Sequence, residues 1–331
     1  MQPPDFWYNQ KSSLLSFLLA PVGWIYGLTS AIQQDRATPW QAPVPIICIG
    51  NLVAGGQGKT PTALSFGSSL RAHGKNIHFL SRGYGGSLKG PLQVNLNSHT
   101  AAEVGDEPLL LAATSPSWIS IDRQAGIEAA YKAGAEIIVM DDGFQNPSIK
   151  KDLSVIVIDG ETGFGNGRLI PAGPLREGVT VGLARAQALI IIGNDKFNLK
   201  GGLSDIATGY SHKKIKIFTA KLKPGNAALK LQGKKVYAFA GIGRPKKFFE
   251  TLLEIGCNLI GAKAFADHHL YTKKEISSLL NISKREEATL VTTAKDHVRV
   301  PPFHKKDIVI VSVTLDWTDT SALDRLLKPF I

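Results

Sequence analysis

The stretch Gly55-Gly56-Gln57-Gly58-Lys59-Thr60-Pro61 follows the apolar run Pro45-Ile46-Ile47-Cys48-Ile49. A buried strand that ends in glycines and leads through Lys-Thr into a helix has the layout of a phosphate-binding loop. Glycines let the backbone curl until several N–H groups point at one anion, and the N-terminus of the following helix adds partial positive charge. Lys59 would reach the β- and γ-phosphates of a nucleoside triphosphate, and the Thr60 hydroxyl would ligate Mg²⁺. Val53 stands where the usual spacing puts the first glycine. The competing reading is a glycine-rich turn that only joins strand to helix, but strand, loop, Lys-Thr and helix come in the order that a nucleotide site needs.

Further along, Glu136-Ile137-Ile138-Val139-Met140-Asp141-Asp142 is an apolar strand ending in acids. That is the layout of a Walker B element, whose carboxylates hold the Mg²⁺ that Thr60 also touches. The loop Gly143-Phe144-Gln145-Asn146-Pro147 follows at the same sheet edge. Ser81-Arg82-Gly83-Tyr84-Gly85-Gly86, at the end of another strand, suits a phosphate or a sugar, with a surface arginine in a flexible turn as the alternative. Arg176 lies in a segment too rich in glycine and proline for regular structure, from which it could clamp phosphate. In Val104-Gly105-Asp106-Glu107-Pro108 the acids precede a proline at the first turn of a helix, which by itself reads as ordinary capping. Asp267-His268-His269 offers metal ligands or acid/base groups. No Cys or third His stands at zinc spacing, so acid/base support ranks first.

The elements that must position these residues alternate between apolar strands and helical segments, as in an α/β fold with a parallel sheet. Expected strands include 76–80, 118–121, 136–141, 154–159, 188–192 and 214–220, with helices over 62–71 and 123–133. The polar composition of residues 222–233 marks a boundary, after which a second β/α series begins. Three parts are expected: an N-terminal membrane-interface segment over 1–35, a phosphate-loop kinase-like unit over 36–222, and a smaller α/β unit over 223–331 that closes over the site. Residues Ser12 to Gln34 carry no formal charge and could span a bilayer by length. Pro21, Gly23 and Gly27 interrupt the run, and Trp7, Tyr8, Trp24 and Tyr26 favour headgroup depth, so a broken amphipathic segment lying in the interface is the reading preferred over a core helix, a span or a signal peptide.

The formal charge of +11 implies acidic partners. No zinc-finger spacing, arginine-rich arm or basic-aromatic RNA motif is present, which ranks nucleic acid last. Cys48 and Cys257 are the only cysteines and imply no disulfide framework. An Asn-Lys-X-Asp guanine-reading motif is absent after the Asp141-Asp142 strand, which argues against a GTPase.

Taken together, these stretches resemble the tetraacyldisaccharide 4'-kinase family, the lipid A 4'-kinases of Gram-negative bacteria. The matching pieces are the loop 55–61, Ser81-Arg82-Gly83-Tyr84-Gly85, Gly105-Asp106-Glu107-Pro108, Asp141-Asp142-Gly143-Phe144-Gln145, the run from Asn166 to Glu177, Asp267-His268-His269 and Thr292-Thr293-Ala294-Lys295-Asp296. Two positions depart from the family: Asn146 where it usually has His, and Ala294 where it usually has Glu. The resemblance implies a P-loop NTPase-type sheet with helices on both faces. It also implies ATP and Mg²⁺, and transfer of the γ-phosphate to the 4'-hydroxyl of a tetraacylated glucosamine disaccharide 1-phosphate, giving lipid IVA. Within it Asp106 becomes the general base, supported by His268 rather than His269, with Lys59 on the phosphates. Thr60, Asp141 and Asp142 are the expected metal residues, and Arg82, Tyr84, Glu107, Gln145, Arg176 and His269 the expected substrate residues. A monomer docked on the cytoplasmic face of the inner membrane, binding no nucleic acid, follows from the same resemblance. The rival class is a phosphate-loop ATPase of a regulatory or transport type, which needs no base for a sugar hydroxyl.

Overall fold

The computed structural model describes residues 4–8, 13–202 and 215–331. In chain order the first strands are β1 (Ile46–Gly50), β2 (Ile77–Ser81), β3 (Leu92–Gln93), β4 (Ser117–Ile119), β5 (Ile137–Asp141), β6 (Leu153–Asp159), β7 (Ala188–Ile192) and β8 (Lys216–Pro224). They are followed by β9 (Lys235–Ala240), β10 (Asn258–Ala264), β11 (Thr289–Thr293), β12 (Val309–Val311) and β13 (Val313–Trp317). β1, β5, β6 and β7 are buried from end to end and are apolar apart from Ser154 and the terminal Asp141 and Asp159. Such runs have no polar side to give to water, so they belong in the middle of a parallel sheet covered on both faces.

That is where they lie. A nine-stranded sheet has the order β13-β8-β7-β6-β1-β5-β2-β4-β3, parallel except at its two edges. On one face Ala63, Phe66 and Leu70 of the helix Lys59–Ala72 pack with Leu323, Leu326 and Leu327 of the helix Ala322–Leu327. On the other, Ile127 and Ala130 of the helix Arg123–Lys132 join Leu183. Because β1 is flanked by β5 on one side and β6 on the other, the chain order reverses at β1, and the crevice at the carboxyl ends of these strands opens there.

A second sheet, β10-β9-β11-β12, is parallel throughout and carries the helices Pro245–Glu254 and Lys273–Arg285 on opposite faces. The chain then leaves it: β13 pairs antiparallel with β8, Val313 against Pro224 and Trp317 against Ala220. The small unit is therefore inserted into an edge of the large sheet, whereas the sequence reading ran it on to residue 331. Val313 to Trp317 alternates weakly and sits on an edge, and its partner lies far back in the chain, so nothing local marks the return.

The N-terminal apolar stretch is one unbroken helix, Leu14–Asp35, not the interrupted segment expected from Pro21, Gly23 and Gly27. Pro21 costs it one hydrogen bond, to the carbonyl of Phe17. The glycines are needed for close approach: a Cβ at Gly27 would meet Leu169 Cδ1 at 2.5 Å, and one at Gly23 would meet the Leu169 carbonyl oxygen at 3.0 Å. Ser16 Oγ adds a bond to the Ala172 carbonyl at 2.6 Å, and Trp7 Nε1 one to the Pro171 carbonyl at 3.0 Å. Only this narrow stripe is covered. Leu14, Phe17, Leu18, Trp24, Ile25 and Leu28 are each more than 60% exposed, an apolar area that a water-surrounded protein rarely shows.

Candidate active site

Because the loop after β1 carries Gly-Gly-Gln-Gly, its backbone can turn its N–H groups outward. Among the described residues, the N–H groups of Gly55, Gly56, Gln57 and Gly58 have no protein acceptor. The Gln57 side chain points the other way, its Oε1 accepting from the Asp159 N–H at 2.8 Å, so it ties the loop to the end of β6. Lys59 opens the next helix with its side chain folded back over the loop, Nζ 3.4 Å from the Gly55 carbonyl and 3.6 Å from Asp142 Oδ2. Pro61 takes an early position in the helix Lys59–Ala72, where its missing N–H costs nothing.

β5 delivers two carboxylates with opposite surroundings. Asp141 is buried, and its Oδ2 accepts from Thr60 Oγ1 at 2.9 Å while its Oδ1 has no partner. Burial, followed by the negative charge of Glu107, pushes its carboxyl well above the ordinary range. Asp142 adopts a left-handed backbone, φ 54°, which turns its side chain across the crevice. There Arg176 grips it with both nitrogens, at 2.7 and 3.2 Å. Burial works against the Asp142 charge, but Lys59 and Arg176 outweigh it and hold the carboxyl below its usual value. Gln145 completes this edge: its Nε2 donates to the Asn51 carbonyl at 2.8 Å and to Glu177 at 3.0 Å. Asn146 is turned away, its Oδ1 accepting from the N–H and hydroxyl of Ser148 in a local turn.

Asp106 lies at the start of the helix Asp106–Ala112, with its side chain buried. Gly105 precedes it at φ 89°, where a Cβ would meet the Tyr84 carbonyl oxygen at 2.6 Å, so the Arg82-to-Gly86 loop packs directly on the backbone carrying Asp106. Across from it, His268 Nδ1 stands 3.0 Å from Asp106 Oδ2, the spacing of an N–H donated to a carboxylate. His268 is also left-handed, φ 59°, in a turn pinned by its N–H to the Gly241 carbonyl at 3.1 Å. Of the four left-handed non-glycine residues among those described, Asp142, Asn198, His268 and Glu287, two stand at the crevice, and strain of this kind often collects at functional sites. Tyr84 lays its ring edge-on to His268 at 5.8 Å.

His269, one residue on, goes elsewhere. Its Nε2 pairs with Glu275 at 3.1 Å, the same carboxylate that accepts from the Thr272 N–H at 2.8 Å in a capping box. It packs between Phe265 and Tyr271 and is not brought to Asp106.

The motif spacing did not disclose several residues of this cluster. Lys295 bridges Glu107 at 3.2 Å and Asp106 at 3.9 Å, and buried Arg299 reaches Asp106 at 3.6 Å. Burial would raise the Asp106 carboxyl, yet the His268 hydrogen bond and the charges of Lys295 and Arg299 leave it below the ordinary value. Buried Arg123 has an unpartnered Nε, and its guanidinium feels the positive charge of Arg82, which is itself exposed, and the negative charge of Asp142. On the far side of the phosphate loop, Arg244 pairs with Asp159, and Lys247 lies 3.7 Å from Asp159 and 3.6 Å from Glu161. The small unit thus touches the large one on both flanks of the loop. Thr292 to Asp296 was the one sequence signal that could have pointed to Lys295 and Arg299.

This arrangement has counterparts. The chain is 48% identical over 335 residues to the tetraacyldisaccharide 4'-kinase of Rhodospirillum centenum, covering all of this chain and 97% of that one. It is 48% identical over 326 residues to that of Paramagnetospirillum magneticum, covering 98% of each. Its fold superposes on a crystal structure of LpxK from Aquifex aeolicus in complex with ATP with a TM-score of 0.73, at 25% identity, over 96% of this chain and 99% of that one. A family profile described as tetraacyldisaccharide-1-P 4'-kinase matches residues 15–331. The chain belongs to the tetraacyldisaccharide 4'-kinase family.

Proposed function

We propose that the protein transfers the γ-phosphate of ATP to the 4'-hydroxyl of a tetraacyldisaccharide 1-phosphate, giving lipid IVA. The observation that carries the mechanism is the Asp106–His268 pair, a buried carboxylate of the large unit met at 3.0 Å by an imidazole of the small one. A sugar hydroxyl is a poor nucleophile. Asp106 aligns it for in-line attack and takes its proton as the phosphoryl group leaves ATP, while His268 fixes the carboxylate's orientation. Asp106 can do so with its carboxyl below the ordinary range because, in a loose transition state, alignment matters more than basicity. Lys59 and the outward N–H groups of the loop hold the triphosphate.

Mg²⁺ suits the buried Asp141 and Thr60. The unpartnered Asp141 Oδ1 is a hard oxygen donor beside a hydroxyl, in a carboxylate whose charge burial disfavours until a cation arrives. When bound, Mg²⁺ offsets charge on the phosphate oxygens. Asp142 is already gripped by Arg176 and Lys59, so it orients those cations and stands near the metal rather than replacing Asp141. The pair Arg82 and Arg123 is suited to the substrate's 1-phosphate, with Tyr84, Glu107 and Gln145 along the same edge.

The exposed face of the helix Leu14–Asp35 brings the enzyme to the bilayer in which the acyl chains remain, on the cytoplasmic side where ATP is available. Replacing Phe17 and Trp24, 66% and 74% exposed, by Ala is expected to lower partitioning onto anionic vesicles at least roughly tenfold. Soluble turnover on detergent-dispersed substrate should stay within about twofold of the unaltered protein, since neither side chain reaches the loop. Unchanged sedimentation with vesicles would show that this face serves another purpose.

The assay that tests the function uses the full chain in detergent with ATP, Mg²⁺ and the lipid disaccharide 1-phosphate. One phosphate gained at the 4'-position per ATP consumed is expected; ATP hydrolysis indifferent to the lipid would favour an ATPase instead. In the same assay, Lys59→Ala should raise KM for ATP and lower kcat together, kcat by on the order of 100-fold. A change in KM alone would confine Lys59 to ground-state binding.

A further inference from the structure

Asp106 belongs to the large unit, but its Oδ2 is surrounded by the small one: His268 at 3.0 Å, Arg299 Nε at 3.6 Å and Lys295 at 3.9 Å. Arg299 is the deepest of the three, its side chain only 1% exposed. Its nitrogens are held in place by donations to the Lys295 carbonyl at 3.1 Å, the Gly241 carbonyl at 3.0 Å and Asp296 Oδ1 at 2.9 Å. Asp296 is fixed in turn by the Tyr271 hydroxyl at 2.6 Å and the Gly241 N–H at 2.7 Å. A buried guanidinium needs a carboxylate, and Asp296 already supplies one from within the same unit. The approach of Arg299 to a second carboxylate, across the gap between the two sheets, is thus not required for the small unit's own stability.

We propose that Arg299 is a positioning residue for the phosphoryl transfer: with its Nε–H given to the Lys295 carbonyl, it stands as a fixed positive charge 3.6 Å from Oδ2 of Asp106, which holds that oxygen toward His268 and leaves Oδ1 to meet the acceptor hydroxyl. Among the described residues Oδ1 accepts only the Glu107 N–H, at 2.9 Å, and a carboxylate oxygen has room for a second donor. The guanidinium suits the task because its planar fork cannot rotate away while Asp296 and Gly241 hold the other nitrogens, whereas a lysine ammonium could. This role rests on the reading of Asp106 as the base.

The test is a double-mutant cycle between Arg299→Lys and Asp106→Asn, measured on the full chain in detergent with ATP, Mg²⁺ and the lipid disaccharide 1-phosphate. Arg299→Lys keeps the charge and loses the fork. It is expected to lower kcat roughly tenfold with KM for ATP unchanged, and to make no further difference to the residual turnover of Asp106→Asn. Should Arg299→Lys not fold, Tyr271→Phe removes one of the bonds that hold Asp296 Oδ1, loosening it and Arg299 without removing a charge, and its loss of kcat should vanish in the Asp106→Asn background in the same way. An equal loss in both backgrounds would make Arg299 a support of the fold alone and leave the base reading standing. Asp106→Asn with near full turnover would remove the base and this role together.

Discussion

Asp106→Ala is expected to lower turnover by at least ~100-fold while ATP binds as before, the loss usual for a positioned general base. The reason for the split lies in where the contacts come from. Triphosphate contacts are drawn from residues 55–60 at the end of β1, whereas Asp106 starts a helix two strands away in the sheet, beyond β5 and β2. Its removal should not cripple the fold either. Arg299 keeps Asp296 at 2.9 Å and Lys295 keeps Glu107 at 3.2 Å, so neither cation is left without a carboxylate. Thermal melting should therefore move little, in contrast to what an unpaired buried charge would cause. His268→Ala ought to cost less than Asp106→Ala, since it removes orientation and leaves the carboxylate. The measurements are single-turnover phosphorylation of the lipid and equilibrium binding of ATP. Turnover near that of the unaltered protein, or a parallel collapse of ATP affinity, would take the base role from Asp106.

The large sheet and the phosphate loop could be read from the chain because both are local. Ile46 to Ile49 and Ile137 to Met140 are apolar without interruption, and a strand of that kind can only be central and parallel. Lys59, Thr60, Asp141 and Asp142 stand at the ends of such strands, where the spacing already pointed. The three-dimensional companions of these residues were not legible. Arg299 is a lone arginine beyond a short helix in sequence, and acquires meaning only when the small unit places it 3.6 Å from a carboxylate nearly 200 residues earlier in the chain. Arg123 read as an ordinary first residue of a helix. Its burial, and the neighbouring charge of Arg82, come from the packing of that helix against β2 and β4. Between His268 and His269, composition offers no choice, and the decision falls to Glu275, whose capping duty at Thr272 places a partner for His269 away from Asp106. The continuity of the N-terminal helix is hidden in the sequence for a related reason. The glycines that looked like breaks are contacts with Leu169, which belongs to a loop whose position the sequence does not reveal.

Asp141→Asn should abolish the effect of Mg²⁺ on the protein and reduce turnover by on the order of 1,000-fold, while the metal-free fold becomes more stable. Asp141 is only 2% exposed, and one of its oxygens has no partner. Burial first, then Glu107 and Asp142, raise its carboxyl above the value it has in the unfolded chain. A carboxyl raised by folding favours the folded state below its unfolded pKa, and this contribution is lost as pH rises through its folded pKa. Above that point the metal-free protein carries a buried negative charge that Lys59 and the Thr60 hydroxyl offset only in part, and Asn would remove it. A cation bound at Asp141 and Thr60 needs the deprotonated form, so its binding stabilises the fold more as pH rises over the same interval. Melting curves with and without Mg²⁺ and ATP, taken below and above neutrality, should show a metal-dependent gain that grows with pH in the unaltered protein and is missing from Asp141→Asn. If the gain survives in that variant and disappears in Asp142→Asn instead, the metal belongs to the neighbouring carboxylate. Asp142 would then have to exchange the grip of Arg176 for the cation, and Arg176 would be free to turn to the phosphates.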